Sequence, residues 1–275
     1  MQHHQYNFKI NSIEESERLV AMLSIIGFDG FEEFENELKA YTDLDVDQKE
    51  IDNIIKLIPV TYSKSVIKDR NWNELWEADF KPVTVLYPGS PEIFTNVRAH
   101  FHPPQPRAKY EVNITPKMSF GTGHHATTYG MIENMSKFDF ANKTVIDFGT
   151  GTGILAILAE KLGAKKIFAI DNDEWSIDNA KENITVNNCK NIELIKAGSL
   201  DFSFRADIIL ANINLNVIVA NLEILVNSCK PNGNILLSGM LISDEPLIKD
   251  ALKKYPVSII DLYERNNWMV IVATC

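Results

Sequence analysis

Apolar positions along this chain follow two rhythms, and the change from one to the other comes near residue 144. Before about residue 68, short alternating runs are interleaved with two stretches of helical period. Tyr6 to Ile10 reads as a strand, and Ser12-Ile13-Glu14-Glu15 has the form of a capping box opening a helix with Leu19, Leu23 and Ile26 on one face. Gly27 ends that helix. Phe28 to Phe34 and Leu38 to Thr42 read as strands around a turn at Asn36, followed by a helix through Ile51, Ile54, Ile55 and Ile58 and a strand at Val60 to Ile67. The order βαββαβ is that of a ferredoxin-like module.

From Thr144 onward the pattern becomes α/β. Apolar, β-rich runs at 144–148, 166–171, 192–197, 206–212, 234–238, 257–263 and 268–273 are separated by helical segments until the last two. That alternation predicts a parallel sheet of seven strands covered by helices on both faces. The last two runs are joined only by Glu264 to Asn267, too short for a crossover, so they must be antiparallel. Between the two regions, Trp72, Trp76 and Phe80 recur every four residues and so share one face of a short helix that stops before Pro82. The predicted organisation is therefore a small domain at 1–68, a linker helix at 69–82 and a large domain at 83–275. Tyr87 to Pro91 reads as a turn and His102 to Pro106 as a stiff exposed loop.

Charge and composition narrow the function classes. No apolar run approaches the roughly 18 to 20 residues that span a bilayer, and Met1-Gln2-His3-His4 lacks a secretory pattern, so a cytoplasmic protein without membrane contact is expected. Cys189, Cys229 and Cys275 are odd in number and far apart, which predicts reduced thiols and no metal-ligand spacing. The formal net charge is −10, with acidic runs at Glu32 to Glu37 and Asp43 to Asp52. Such a chain is unsuited to direct nucleic-acid binding, which relies on Lys and Arg, and suits a basic partner.

The chemistry concentrates at Val145-Ile146-Asp147-Phe148-Gly149-Thr150-Gly151-Thr152-Gly153. A buried strand that turns through alternating glycines into a helix lets the main chain approach a ligand without a Cβ in the way. Asp171 closes the next apolar run, where a carboxylate can accept both hydroxyls of a ribose. Read from Gly151 the segment satisfies G-x-G-x-x-A, the NAD-binding fingerprint. Read from Asp147 it gives D-x-G-x-G-x-G, similar to the first motif of class I S-adenosylmethionine-dependent methyltransferases. The glycines alone leave both cofactors open.

Two flanking segments carry a more specific resemblance. Phe120-Gly121-Thr122-Gly123-His124-His125-Ala126-Thr127-Thr128 precedes the first strand, and Ala211-Asn212-Ile213-Asn214 follows the fourth. Both resemble the PrmA family of bacterial methyltransferases, whose upstream pattern is close to F-G-T-G-x-H-x-T-T. Asn73 to Pro82 is similar to that family's Trp-containing linker. The chain departs from the family at Thr115-Pro116-Lys117, where Asp-Pro-Gly is usual, and at Asn212-Ile213-Asn214, where Asn-Ile-Leu is usual.

The resemblance implies a class I methyltransferase fold, a Rossmann-like seven-stranded sheet, behind the ferredoxin-like domain. It implies S-adenosyl-L-methionine as cofactor and no metal, although His124, His125, His100 and His102 invite a metal reading. The partner it implies is the eleventh protein of the large ribosomal subunit, free or on the ribosome, methylated on lysine side chains or its N-terminal amine. Gly149, Gly151, Gly153, Asp171, Thr128 and Asn212 are the implied cofactor contacts, with Thr127 beside them and Ser199 facing the adenine. Asn212 is the implied catalytic residue, holding the target amine in line with the methyl group. One of His124 and His125 orients the loop or lies near the amine. The competing readings are a class I methyltransferase with another substrate and an NAD-dependent oxidoreductase, which gives no reason for Phe120 to Thr128.

Overall fold

The computed structural model describes residues 3–28, 30–34, 36–42, 46–67, 80–115, 121–198 and 205–275. The chain divides into two compact units, Met1–Leu75 and Trp76–Cys275. The expected helix across Trp72 and Trp76 lies outside the described residues.

The first unit runs β1 (His3–Lys9), α1 (Ile13–Ile25), β2 (Gly30–Phe34), β3 (Glu37–Thr42), α2 (Gln48–Leu57) and β4 (Thr61–Ile67). Its sheet has the order β2-β3-β1-β4 with every pairing antiparallel, the ferredoxin-like arrangement. Local chemistry starts α1 as expected, with the Ser12 hydroxyl accepting from the Glu15 N–H. The returning carboxylate differs: Glu15 accepts from the Asn11 N–H at 2.8 Å, one residue earlier than in a reciprocal capping box. Tyr6, Phe8, Leu19, Leu23, Leu38 and Ile51 form a fully buried core between sheet and helices. Phe28, expected in the second strand, is buried ahead of it, and the strand itself begins at Gly30.

The second unit opens with a three-stranded sheet that the sequence pattern does not announce: β5 (Val83–Leu86), β6 (Ile93–Arg98) and β7 (Tyr110–Asn113). Then come α3 (Ala126–Met135), β8 (Thr144–Phe148), α4 (Ile154–Lys161), β9 (Lys166–Asp171), α5 (Glu174–Val186), β10 (Ile192–Lys196), β11 (Ala206–Asn212), α6 (Leu215–Ser228), β12 (Cys229–Leu241), α7 (Glu245–Leu252), β13 (Ser258–Arg265) and β14 (Trp268–Thr274). These make a seven-stranded sheet in the order β10-β9-β8-β11-β12-β14-β13. The first five strands are parallel, and β14 lies antiparallel to both β12 and β13. Asn266 and Asn267 both take positive φ, 50° and 64°, as the two central residues of a tight hairpin turn require. β12 is longer than the expected 234–238 run, because Pro231, Asn232 and Gly233 continue the strand.

Alternation along β8 explains the two-sided packing. Val145 joins an apolar cluster with α3 and α4 on one face, and Ile146 joins another with α6 and α7 on the opposite face. The order reverses between β8 and β11, so their carboxyl ends leave the crevice where ligands of open α/β sheets bind. Cys189, Cys229 and Cys275 are free thiols. No helix among the described residues is long and apolar enough to cross a membrane.

Candidate active site

The carboxyl ends of β8, β9 and β11 converge on a cavity of about 520 Å³ whose wall includes Phe148, Gly149, Gly151, Asp171 and Asn212. Its size is that of a cofactor or small-ligand site. The glycine turn shapes one side. Gly149 and Gly151 take φ of 76° and 53°, and a methyl group at Gly149 would run into Ile213 Cγ2, so both conformation and space exclude a side chain there. The Gly149 and Thr150 N–H groups both donate to the Ile170 carbonyl, at 2.8 and 2.9 Å, which pins the turn to the neighbouring strand.

Two carboxylates hold this turn. Asp147 is fully buried; its Oδ2 accepts from the Thr150 hydroxyl at 2.6 Å and the Ala156 N–H at 3.2 Å. Burial pushes its pKa up to about 7, against the opposing pull of those two hydrogen bonds. Asp171 stands at the cavity edge, where Oδ2 accepts from the Gly151 N–H at 2.9 Å and Oδ1 from the Asp173 N–H at 3.1 Å. A carboxylate offers about four lone-pair sites, so each oxygen retains capacity for a further donor.

Asn212 ends β11 opposite. It is only 8% exposed, donates from Nδ2 to Thr128 Oγ1 at 3.2 Å, and keeps Oδ1 without a partner among the described residues. The chain then turns sharply: the Ile213 N–H donates to the Ser238 carbonyl at 3.1 Å, and Asn214 caps α6 by accepting from the Val217 N–H. The third residue of the Asn212-Ile213-Asn214 segment is thus a helix cap that also lines the cavity.

The segment from Gly121 to Thr128 closes the remaining side. Thr152 donates its hydroxyl to the Gly121 carbonyl at 2.7 Å, joining this segment to the glycine turn. His125 caps α3 by accepting from the Thr127 N–H, packs edge-on against Trp268 at 4.6 Å and lines the cavity. Burial holds its imidazole below the ordinary histidine pKa. His124 contacts Thr122 and the Phe80 ring. Among the described residues no three His, Cys, Asp or Glu side chains are grouped to hold a metal ion.

Of the residues singled out from sequence, Gly149, Gly151, Asp171 and Asn212 line one cavity together with Thr127. Thr128 is fully enclosed and reaches the cavity only through Asn212. Gly153 is the N-cap of α4 and lies against Ala180. Phe120 and Ser199 lie outside the described residues.

Sequence reasoning missed a set of asparagines on α5. Asn183 donates to the Thr152 carbonyl at 2.9 Å and accepts from the Thr115 N–H at 2.7 Å, and Asn187 accepts from the Asn113 N–H. These side chains tie the end of β7 to the glycine turn. The only signal was Asn recurring every four residues at 179, 183 and 187.

Residues 3–275 match the family described as Ribosomal protein L11 methyltransferase (PrmA). The chain belongs to this family. Relatives bearing that name include one from Phocaeicola vulgatus, 34% identical over 98% of this chain and 95% of the relative. Another, from Porphyromonas gingivalis, is 37% identical over 92% of this chain and 88% of the relative. Among solved structures, the ribosomal protein L11 methylase of Lactobacillus delbrueckii subsp. bulgaricus superposes with a TM-score of 0.61 at 27% identity, covering 70% of this chain and 98% of that one. The class I methyltransferase fold expected from the sequence is therefore the fold of this PrmA family member.

Proposed function

We propose that this chain is an S-adenosylmethionine-dependent enzyme that N-methylates amino groups of ribosomal protein L11, on lysine side chains or the N-terminal amine. The observation that carries this reading is a single cavity bordered by a carboxylate with free lone pairs, Asp171, and an unpartnered acceptor, Asn212 Oδ1. Asp171 would take the ribose hydroxyls, while the backbone at Gly149 and Gly151 makes room for the amino-acid portion. Asn212 would accept an N–H of the target amine. The antiparallel β14 favours this over a plain NAD-binding sheet.

The cofactor supplies an activated methyl on a sulfonium, and the protein's task is to present a neutral amine to it. A lysine with pKa about 10.4 is neutral in only about 4 molecules in 10,000 at pH 7, a penalty of roughly 4.6 kcal/mol. Burial at the cavity lowers the amine pKa by desolvation, and an adjacent cation lowers it further. Asn212 then fixes direction, and positioning supplies most of the acceleration. No dedicated general base is required by this scheme.

The remaining assignments follow the same reading. The acidic unit at 1–68 recognises the basic ribosomal protein, free or on the ribosome, 69–82 is the linker, and the reaction belongs to the cytoplasm. Mass spectrometry of purified L11 after incubation with the enzyme and S-adenosylmethionine tests the whole. The expected result is mass added in steps of one methyl on amino groups; unmodified L11 in the presence of cofactor-binding enzyme would overturn it.

A further inference from the structure

We infer that Thr128 is a positioning residue whose hydroxyl fixes the direction of the Asn212 carboxamide. This rests on the reading that Asn212 holds the target amine. A carboxamide has a donor end and an acceptor end, and rotating it by half a turn exchanges them with little change of shape. The two ends have opposite consequences for methyl transfer. An acceptor facing the amine binds its N–H and leaves the nitrogen lone pair free to attack. A donor in the same place binds the lone pair that must form the new bond.

The surroundings select one direction. Thr128 lies in the first turn of α3, fully enclosed, and its Oγ1 accepts from Asn212 Nδ2 at 3.2 Å across 84 residues of sequence. With the donor end engaged, Oδ1 is left buried and without a partner among the described residues. A buried acceptor in that state is unfavourable and is relieved when an N–H donor arrives. The adjacent Thr127 lines the cavity, whereas Thr128 does not, so the two neighbouring threonines divide the work between wall and support. The site accordingly selects substrates whose attacking atom carries a hydrogen, such as primary amines.

The test is a double-mutant cycle on the full chain, measuring methylation of L11 at saturating substrates and calorimetric binding of S-adenosylhomocysteine. Thr128→Val keeps the shape and removes the acceptor, and it should lower kcat roughly tenfold or more, the scale of one lost orienting hydrogen bond. Its KM for the cofactor and its affinity for S-adenosylhomocysteine should stay within about twofold, and Thr128→Ser should recover most of the rate. In the Asn212→Ala background, Thr128→Val should cause no further loss, because a residue acting only through Asn212 has nothing left to orient. An equal loss in both backgrounds, or a wild-type kcat for Thr128→Val beside a slow Asn212→Ala, would overturn the positioning role alone. Wild-type turnover of Asn212→Ala would instead remove the reading on which it rests. If the valine variant does not fold, Thr128→Ala and Thr128→Ser make the same comparison.

Discussion

Asp147 and Asp171 are the same residue type at the ends of neighbouring parallel strands, and the structure gives them opposite surroundings. Asp147 pairs across the sheet with Ala169, two positions short of Asp171, so it still lies within the span of β9. It is sealed from solvent and holds Thr150 and Ala156. Asp171 lies past the last β8–β9 pair, Phe148 and Ile170, and reaches the cavity edge. A displacement of two residues thus separates a carboxylate that holds the turn together from one that can meet a ligand. The motif's first letter reports on the loop, and the acid after the second strand reports on the ligand.

The largest expected effect sharpens the first half of this contrast. The pKa of Asp147 is about 7 in the folded protein, above the ordinary 3.8, so the folded state binds this proton more tightly than the unfolded state. Its contribution is fully present below about pH 4 and is lost as pH rises through about 7, a change of up to roughly 4 kcal/mol. Asp147→Asn keeps an acceptor for Thr150 and Ala156 and removes the titration. Urea unfolding between pH 4 and 8 should therefore show a shallower decline for the variant than for the wild type. Parallel curves would mean that Asp147 is not the enclosed group described.

Asp171→Ala should weaken S-adenosylmethionine binding by about 1.5 to 3 kcal/mol, the scale of hydrogen bonds to a charged group. Calorimetry reads this directly, and an affinity change no larger than that of Asp147→Asn would erase the distinction between the two acids. Asn183→Ala should come next, lowering stability by about 1 to 2 kcal/mol through the unpaired Thr115 N–H and Thr152 carbonyl. Thermal unfolding measures it, and no change would show that the turn is held by its carboxylates alone. Smallest of all, removing residues 1–68 should leave cofactor affinity within about twofold, since independently folded units carry separable roles. The same truncated chain should no longer methylate L11; full methylation would take recognition away from the first unit.

How much was legible beforehand follows the same physical division. The seven-stranded sheet was readable because its strands are buried on both faces and so form continuous apolar runs. Asp171, the glycines and Asn212 were readable because a ligand site needs their chemistry at strand ends. The β5–β7 sheet was not, because its strands are 4 to 6 residues long and interrupted by proline turns. Asn183 and Asn187 were hidden for another reason: their backbone partners lie 68 and 74 residues away, so nothing local marks them as buried. Likewise, the burial of Thr128 behind Asn212 comes from α3 packing near the end of β11, which no local spacing encodes.

The most direct test of the account is a crystal structure of the protein with S-adenosylhomocysteine. The account predicts the two ribose hydroxyls on the Asp171 oxygens, the nucleoside against Ile170 and Ala197, and the sulfur on the side of the cavity where Asn212 stands. A ligand bound elsewhere, or seated there with Asp171 still bonded only to Gly151 and Asp173, would contradict it.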